Sequence, residues 1–322
     1  MDWITEKDYE NLIQTRVLPD LAERKGSGFL ERGPGEKLYY ERYYADDPGG
    51  CVVLLHGYSE GIGKWTETIW YLLQSGYHVW VLQQREHGKS FRATADPDLI
   101  HITDYRELPE DVHAFVTKKV AADEKSRDLP RIIFGHSMGG GVSACCLERY
   151  PQDFEKAILS APMLEMKSGD VPLWQAEAYV RLMLTLRRGE NYLPGSAPFD
   201  GKPDFEGSCT HSRARYDWWF KETAGDRENQ MCVSSVRTAM ELLKLTREVQ
   251  APKNTARVRA RVLLFQAGED TMVGNDGQNR WAARLGDRAR LVRYEHARHE
   301  IYRETDDILR EYWGQILFFL QS

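Results

Sequence analysis

The sequence predicts an α/β fold in which a mostly parallel sheet is flanked by helices and a helical cap is inserted over the carboxyl ends of the strands. Three observations predict it. Short apolar, β-branched and aromatic runs alternate with helical stretches along most of the chain. One such run, Ile132-Ile133-Phe134, leads straight into the glycine-framed turn Gly135-His136-Ser137-Met138-Gly139, and a helical stretch from Val142 to Arg149 follows. Between about residues 164 and 251 the alternation stops, giving way to helical pieces, Pro/Gly segments and many aromatics.

Taken in order, Leu38 to Tyr44 and Val52 to Leu55 read as strands around the turn Asp47-Pro48-Gly49-Gly50. A helix from about Trp65 to Ser75 precedes the strand Tyr77 to Leu82, and a helix around Leu108 to Ala121 precedes the strand that ends at Ser137. Lys156 to Leu159 forms the next strand. The rhythm returns with Arg261 to Gln266 and Ala289 to Tyr294, and the last helix covers roughly Asp306 to Leu320. The expected organisation is a helical extension over residues 1–34, a core of 35–163 and 252–322, and a cap of 164–251. Open α/β sheets bind ligands beyond the carboxyl ends of their strands, which is where such a cap sits.

Composition narrows the function. The chain has 322 residues, enough for a large core, with 42% hydrophobic and 29% charged residues, as in an ordinary globular protein. A formal charge of −6 argues against nucleic acid as a partner, because a phosphate-binding surface needs excess lysine and arginine. The 16 Tyr and 9 Trp suggest aromatic surface around a pocket or an amphiphilic ligand. There is no signal-peptide pattern and no apolar run near the ~20 residues of a spanning helix. Cys51, Cys145, Cys146, Cys209 and Cys232 have neither disulfide-scaffold nor zinc spacing, so reduced thiols in the cytoplasm are expected. The stretch Tyr9 to Leu21 is amphipathic (Leu12, Ile13, Val17, Leu18, Leu21); its apolar face suits the protein's own core or, less simply, peripheral contact with a membrane. The pattern sets no oligomeric state.

The turn at Ser137 carries the chemistry. A serine on a sharp strand-to-helix turn stands exposed near the positive end of the following helix, and the turn leaves no room for flanking side chains. A serine hydroxyl needs a base to take its proton and an acid to orient that base. Asp270, just past a strand, is the candidate acid, with Glu269 and Asp276 as competitors. His299, past the next strand, is the candidate base, with His296 as competitor. Backbone N–H groups of Met138 and of Tyr58, in His56-Gly57-Tyr58-Ser59-Glu60-Gly61, are the expected oxyanion donors. His136 is expected to pack beneath the turn, His78 to lie in a strand, and His101 and His113 to serve loop or helix surfaces. His87 and His211 are within reach of a pocket. No metal site is expected, since His296 and His299 lack a supporting ligand cluster. In the cap, Trp174, Trp218 and Trp219, with Tyr179, Leu182, Met183, Leu186 and Phe220, are candidates for an apolar substrate channel, plain packing being the alternative for each.

At these residues the chain resembles the α/β-hydrolase group that contains monoacylglycerol lipases and lysophospholipases, in particular the bacterial lysophospholipase L2 type. The resemblance lies in the elbow with its extra Gly140, in His56 to Glu60 and in Arg298-His299-Glu300. It extends to Ala95-Asp96-Pro97, Ile102-Thr103-Asp104-Tyr105 and the cap stretch Thr210 to Tyr216, and covers roughly residues 35 to 322. It implies the α/β-hydrolase fold, a Ser137–Asp270–His299 triad, a small-molecule or lipid ester of the glycerolipid type as substrate, and no cofactor. One segment departs: where the family commonly has Asp-x-Arg-Gly-x-Gly-x-Ser, this chain reads Gln83-Gln84-Arg85-Glu86-His87-Gly88-Lys89-Ser90. Two other functions fit the same residues. An aminopeptidase of the capped type would need cap carboxylates for an α-amino group, for which Glu177, Glu190, Asp204 and Glu206 are available. A non-catalytic scaffold would have kept the fold while losing chemistry, yet serine, histidine and elbow glycines are all present.

Overall fold

Alternation at period two sends successive side chains of each central strand into two different cores. The computed structural model describes residues 2–322. Its strands are β1 (Lys25–Gly33), β2 (Glu36–Tyr43), β3 (Gly50–Leu55), β4 (Tyr77–Leu82), β5 (Leu99–Ile100), β6 (Arg131–His136), β7 (Lys156–Ser160), β8 (Val233–Ser234), β9 (Arg261–Ala267) and β10 (Ala289–Tyr294). Eight form one sheet in the order β1-β2-β4-β3-β6-β7-β9-β10; β1, β2 and β4 pair antiparallel and the rest are parallel. The helices are α1 (Tyr9–Leu12), α2 (Leu18–Arg24), α3 (Thr66–Gln74), α4 (Glu107–Phe115), α5 (Ser137–Arg149), α6 (Leu173–Thr185), α7 (Arg213–Gly225), α8 (Val236–Val249), α9 (Pro252–Thr255), α10 (Asn275–Leu285) and α11 (Asp306–Gln321). Among the described residues, no helix is long and apolar enough to cross a membrane.

On one face of the sheet Val53, Leu55, Ile133, Leu159 and Leu264 meet Phe115 of α4, Val142 of α5 and Trp281 of α10. On the other, Val52, Leu54, Phe134, Ile158 and Phe265 meet Ile69 of α3 and Trp313 and Ile316 of α11. Each of these fully buried side chains contributes about 1.5–3 kcal/mol by leaving water. The sheet is thereby held rigid from both sides, and its carboxyl edge becomes a fixed platform for the loops after β3, β6, β9 and β10.

The amino-terminal region differs from expectation. Helix ends at Arg24, and Lys25–Gly33, expected within a helical extension over residues 1–34, is an edge strand that pairs Phe29 with Tyr39 and Leu30 with Leu38. Glycines obscure its alternation, and they are there because the partner strand's side chains lie across them: a Cβ at Gly28 would come within 2.8 Å of the Tyr40 hydroxyl. The amphipathic stretch before it is covered. Tyr9, Ile13, Val17 and Leu21 are buried in the second core, so this face is not free for a membrane.

The segment between β7 and β9 is not uniform. Helix α8, within the expected cap, buries Leu242, Leu245 and Val249 in the same cluster as Val142 of α5 and so belongs to the core layer. Strand β8 pairs in parallel with β5. Helix α7 is held by Arg215, whose fully buried guanidinium donates to Glu67 of α3 (2.9 Å), to the carbonyls of Ile4 (3.2 Å) and Glu304 (3.1 Å), and to Asp306 of α11 (3.1 Å). The Glu6 amide also donates to Asp306 (3.0 Å), so segments about 300 residues apart close on one cation. Helix α6, by contrast, exposes nearly its whole length and buries only Val180.

Candidate active site

Ser137 sits at φ +51°, a left-handed backbone conformation that costs a non-glycine residue about 1–3 kcal/mol. The surroundings hold it there. β6 runs into the turn, α5 begins at Ser137 itself, and the Ser137 carbonyl accepts from the Met163 amide at 2.8 Å. The flanking glycines are steric necessities: a Cβ on Gly135 would lie 2.3 Å from Ser143 Oγ, and one on Gly139 would lie 2.4 Å from the Leu55 carbonyl oxygen. Any side chain at these positions pushes the turn off the sheet.

The hydroxyl of Ser137 donates to His299 Nε2 at 2.8 Å, and His299 Nδ1–H donates to Asp270 Oδ2 at 2.7 Å. Those two partners assign the tautomer. The other Asp270 oxygen, Oδ1, accepts the amides of Met272 (2.8 Å) and Val273 (3.0 Å). Burial alone would raise the Asp270 pKa, but the imidazole and the two amides outweigh it and hold the carboxyl below its ordinary value. Asp270 therefore stays ionised and keeps Nδ1 protonated, leaving Nε2 as a proton acceptor. The competitors lie elsewhere: Asp276 and His296 are exposed, and Glu269 faces His211 at 3.1 Å.

The loop after β3 is pinned from three sides. The Gly57 amide donates to Glu60 Oε2 at 2.6 Å, the Gly57 carbonyl accepts from His56 Nδ1 at 2.8 Å, and the Ser59 amide donates to His87 Nε2 at 3.3 Å. Ser59, at φ +53°, is strained as well. Among the described residues neither the Tyr58 nor the Met138 N–H has a protein acceptor. Met138 is fully buried at the start of α5, and the Tyr58 ring packs edge-on to His87 with its hydroxyl near the Val233 carbonyl (3.5 Å). Burial lowers the pKa of His87 to about 3 and that of His136 to about 4, so both are neutral. His136 lies beneath the turn, donating to the Ser160 carbonyl at 3.0 Å.

The segment that departs from the family pattern supports this loop. Gln84 donates through its backbone N–H to His56 Nε2 (3.0 Å) and through Nε2 to the His56 carbonyl (2.6 Å). Gln83 Oε1 accepts the Lys89 amide (2.7 Å), and Glu86, at φ +68°, accepts the Ala93 amide (2.9 Å). His101, expected at a surface, is buried and hydrogen-bonded to Ser235 Oγ at 2.9 Å.

The three tryptophans separate. Trp218 is buried edge-on against Tyr9 and packs α7 onto the amino-terminal segment, so it does not line a channel. Trp174 is 70% exposed on α6. Trp219 alone adjoins the oxyanion-side loop: its ring lies 5.9 Å from Lys64 Nζ and within 3.6 Å of where a Cβ on Gly61 would stand. Sequence reasoning assigned no role to a buried charged set behind both loops, made of Glu60, Lys64, Glu300 and Arg303. The i, i+4 spacing of Glu60 and Lys64 and the i, i+3 spacing of Glu300 and Arg303 are its local signals. A groove of about 560 Å³ runs between α6 and α8, lined by Met166, Val171, Tyr179, Val180, Leu193 and Met240. Two residues of its lining touch the acid loop: Met166 bridges to Val273, and Lys167 Nζ donates to the Asp270 carbonyl.

The model of the family described as serine aminopeptidase, S33, matches residues 46–306. A monoacylglycerol lipase of Mycolicibacterium smegmatis is 35% identical over 147 residues, covering 45% of this chain and 50% of that protein. The lysophospholipase L2 of Escherichia coli is 26% identical over 222 residues, 67% of this chain and 62% of its own length. This chain thus spans half to three-fifths of these two relatives. Among solved structures, a soluble variant of the Saccharomyces cerevisiae monoglyceride lipase superposes with a TM-score of 0.71 at 18% identity, over 92% of this chain and 95% of that one.

Proposed function

The chain belongs to the serine aminopeptidase S33 family of α/β-hydrolases, and from that premise we propose that it hydrolyses carboxylic esters through an acyl-enzyme, on a lysophospholipid or monoacylglycerol type of substrate. The observation that carries the reading is the continuous relay Asp270–His299–Ser137; the amides of Tyr58 and Met138, which have no protein acceptor among the described residues, are available to an oxyanion. Ser137 Oγ attacks the ester carbonyl as its proton passes to His299 Nε2, and Asp270 stabilises the imidazolium that forms. The amides of Tyr58 and Met138 receive the oxyanion, each contributing about 3 kcal/mol to the transition state. His299 then gives its proton to the departing alcohol, and water repeats the cycle on the acyl-enzyme.

An ester is favoured over a peptide amine by the cap. Of the carboxylates available for an α-amino group, Glu177 is occupied by Arg181 (2.7 Å) and Arg247 (2.6 Å), while Glu190, Asp204 and Glu206 lie exposed. The groove between α6 and α8 is apolar and of a size that suits an acyl chain. On this reading the face offered to a lipid aggregate is Trp174 and Leu182 of α6 with Leu186 just after it, exposed at 70, 57 and 54% and accompanied by Arg181, Arg187 and Arg188. The five free cysteines favour work in a reducing compartment such as the cytoplasm.

Hydrolysis of p-nitrophenyl esters from acetate to palmitate, by wild type and Ser137→Ala, tests the proposal. Turnover that vanishes in the variant supports it, and a medium- or long-chain optimum supports the lipid assignment. A folded wild type that cleaves amino-acid amides and no ester overturns it.

A further inference from the structure

Two loops must keep register for this chemistry: the one that offers the Tyr58 N–H and the one that carries His299. Behind them lies a cluster of charges that neither step uses. Glu60 is 5% exposed; its Oε2 accepts the Gly57 amide (2.6 Å) and Trp65 Nε1 (3.3 Å), and its Oε1 accepts the Tyr302 hydroxyl (3.0 Å). Lys64 Nζ lies 3.1 Å from Glu60 Oε1 and also donates to Glu300 Oε1, with both side chains about nine-tenths buried. Glu300 directly follows His299, and its second oxygen accepts from Arg303 at 2.8 Å. The Trp65 ring stacks on Tyr302 at 4.2 Å, closing the cluster.

Two carboxylates and two cations balance. Burial, the largest single effect, would raise both acids, but Lys64 leads a set of groups that together outweigh it, joined at Glu60 by the Gly57 amide and at Glu300 by Arg303, and both carboxyls are held below the ordinary range. Such a cluster is a poor device for stability, because desolvating four charges offsets most of their attraction, and apolar replacements of similar shape are often as stable. Its value lies in geometry. One carboxylate fixes the amide that precedes the oxyanion donor, the other is one peptide away from the base, and a single ammonium spans them.

We propose that Lys64 is a positioning residue: through Glu60 and Glu300 it sets the Gly57–Ser59 loop against the His299 loop. The inference rests on the esterase reading above and assigns Lys64 no contact with substrate. It explains why an ammonium is buried where a methionine would fill the same space, and why Trp219 of α7 lies over it.

The test compares wild type, Ser137→Ala, Lys64→Met, Lys64→Arg and the double variant Lys64→Met/Glu300→Gln on p-nitrophenyl butyrate, with folding followed by near-ultraviolet dichroism and Tm. Ester turnover by wild type that is absent in Ser137→Ala secures the underlying reading first; an inert wild type overturns that reading and this inference together. The expected result is a kcat about 10- to 100-fold lower in Lys64→Met with KM nearly unchanged, a parallel loss in the rate at which a p-nitrophenyl phosphonate labels Ser137, and substantial rescue by Lys64→Arg. The double variant restores charge balance in the cluster, leaving Glu60 against Arg303, so it is expected to regain Tm while its kcat stays low; it is also the variant to read if Lys64→Met does not fold. A Lys64→Met enzyme within about threefold of wild-type kcat overturns the proposal. So does a double variant restored to wild-type kcat, which traces the loss to the net buried charge alone.

Discussion

Replacing Asp270 with asparagine removes one charge and almost no volume, and the surroundings of the carboxylate decide which way the new amide points. Oδ1 accepts two backbone N–H groups, from Met272 and Val273, while Oδ2 accepts one proton from His299. An asparagine that turned its NH₂ toward the two amides would leave two buried donors unpaired, a cost of about 2–6 kcal/mol at 1–3 kcal/mol each. Its carbonyl oxygen therefore stays with the amides and its NH₂ faces His299 Nδ1. The imidazole must then accept at Nδ1 and carry its proton on Nε2, pointing at Ser137, where it has no lone pair for the serine proton. Loss of about ten-thousandfold in kcat is expected from a wrong tautomer of this kind, equivalent to about 5 kcal/mol of barrier. Because both amide bonds survive, Tm should change little. The assay is kcat for p-nitrophenyl butyrate at pH 7 to 8, with Tm measured on the same preparations. An Asp270→Asn enzyme that folds normally and keeps a tenth of wild-type kcat would refute the assignment of Asp270 as the group that orients His299.

Two further predictions follow from other parts of the molecule. Glu148 is 1% exposed, with one oxygen accepting from Trp281 Nε1 (3.0 Å) and the other unpartnered, and burial raises its pKa to about 8. A carboxyl raised in the folded state stabilises the fold below its unfolded pKa and loses that contribution as pH rises through the folded value. Glu148→Gln should thus add roughly 1–4 kcal/mol at pH 8 relative to wild type and much less at pH 4.5, as read by urea denaturation at both pH values; an equal effect at the two would sink the idea. On α6, Trp174→Ser/Leu182→Ser should leave hydrolysis of a water-soluble butyrate ester unchanged. It should slow hydrolysis of lysophospholipid presented in anionic vesicles by about tenfold, and equal loss on both substrates would assign the two side chains to folding.

The sheet and the elbow were legible because each rests on a local rule. Runs such as Val52 to Leu55 and Ile132 to Phe134 are apolar on both faces, as strands buried between two layers must be, and the glycines around Ser137 follow from contacts shorter than any Cβ tolerates. The order serine, acid, histidine needed only the strand ends to be found. What escaped was set by partners distant in sequence. β1 reads poorly because its glycines answer to Tyr40 and Arg42 on the neighbouring strand. Trp218 is typed as a pocket residue by its chemistry and as packing by Tyr9, two hundred residues away. Glu60, Lys64, Glu300 and Arg303 read as surface charge until the fold encloses them.

The clasp around Arg215 also has a bearing on time. Its ligands come from Ile4, Glu67, Glu304 and Asp306, so the guanidinium has its full set only after residue 306 exists. At a synthesis rate of about 5–20 residues per second, the 300 residues between Glu6 and Asp306 take about 15–60 s to make. Arg215 itself is made 91 residues before Asp306, so for about 5–18 s a charge destined for the interior waits without that carboxylate. The seat of this buried cation is thus completed late in synthesis, only once the start of α11 has been made.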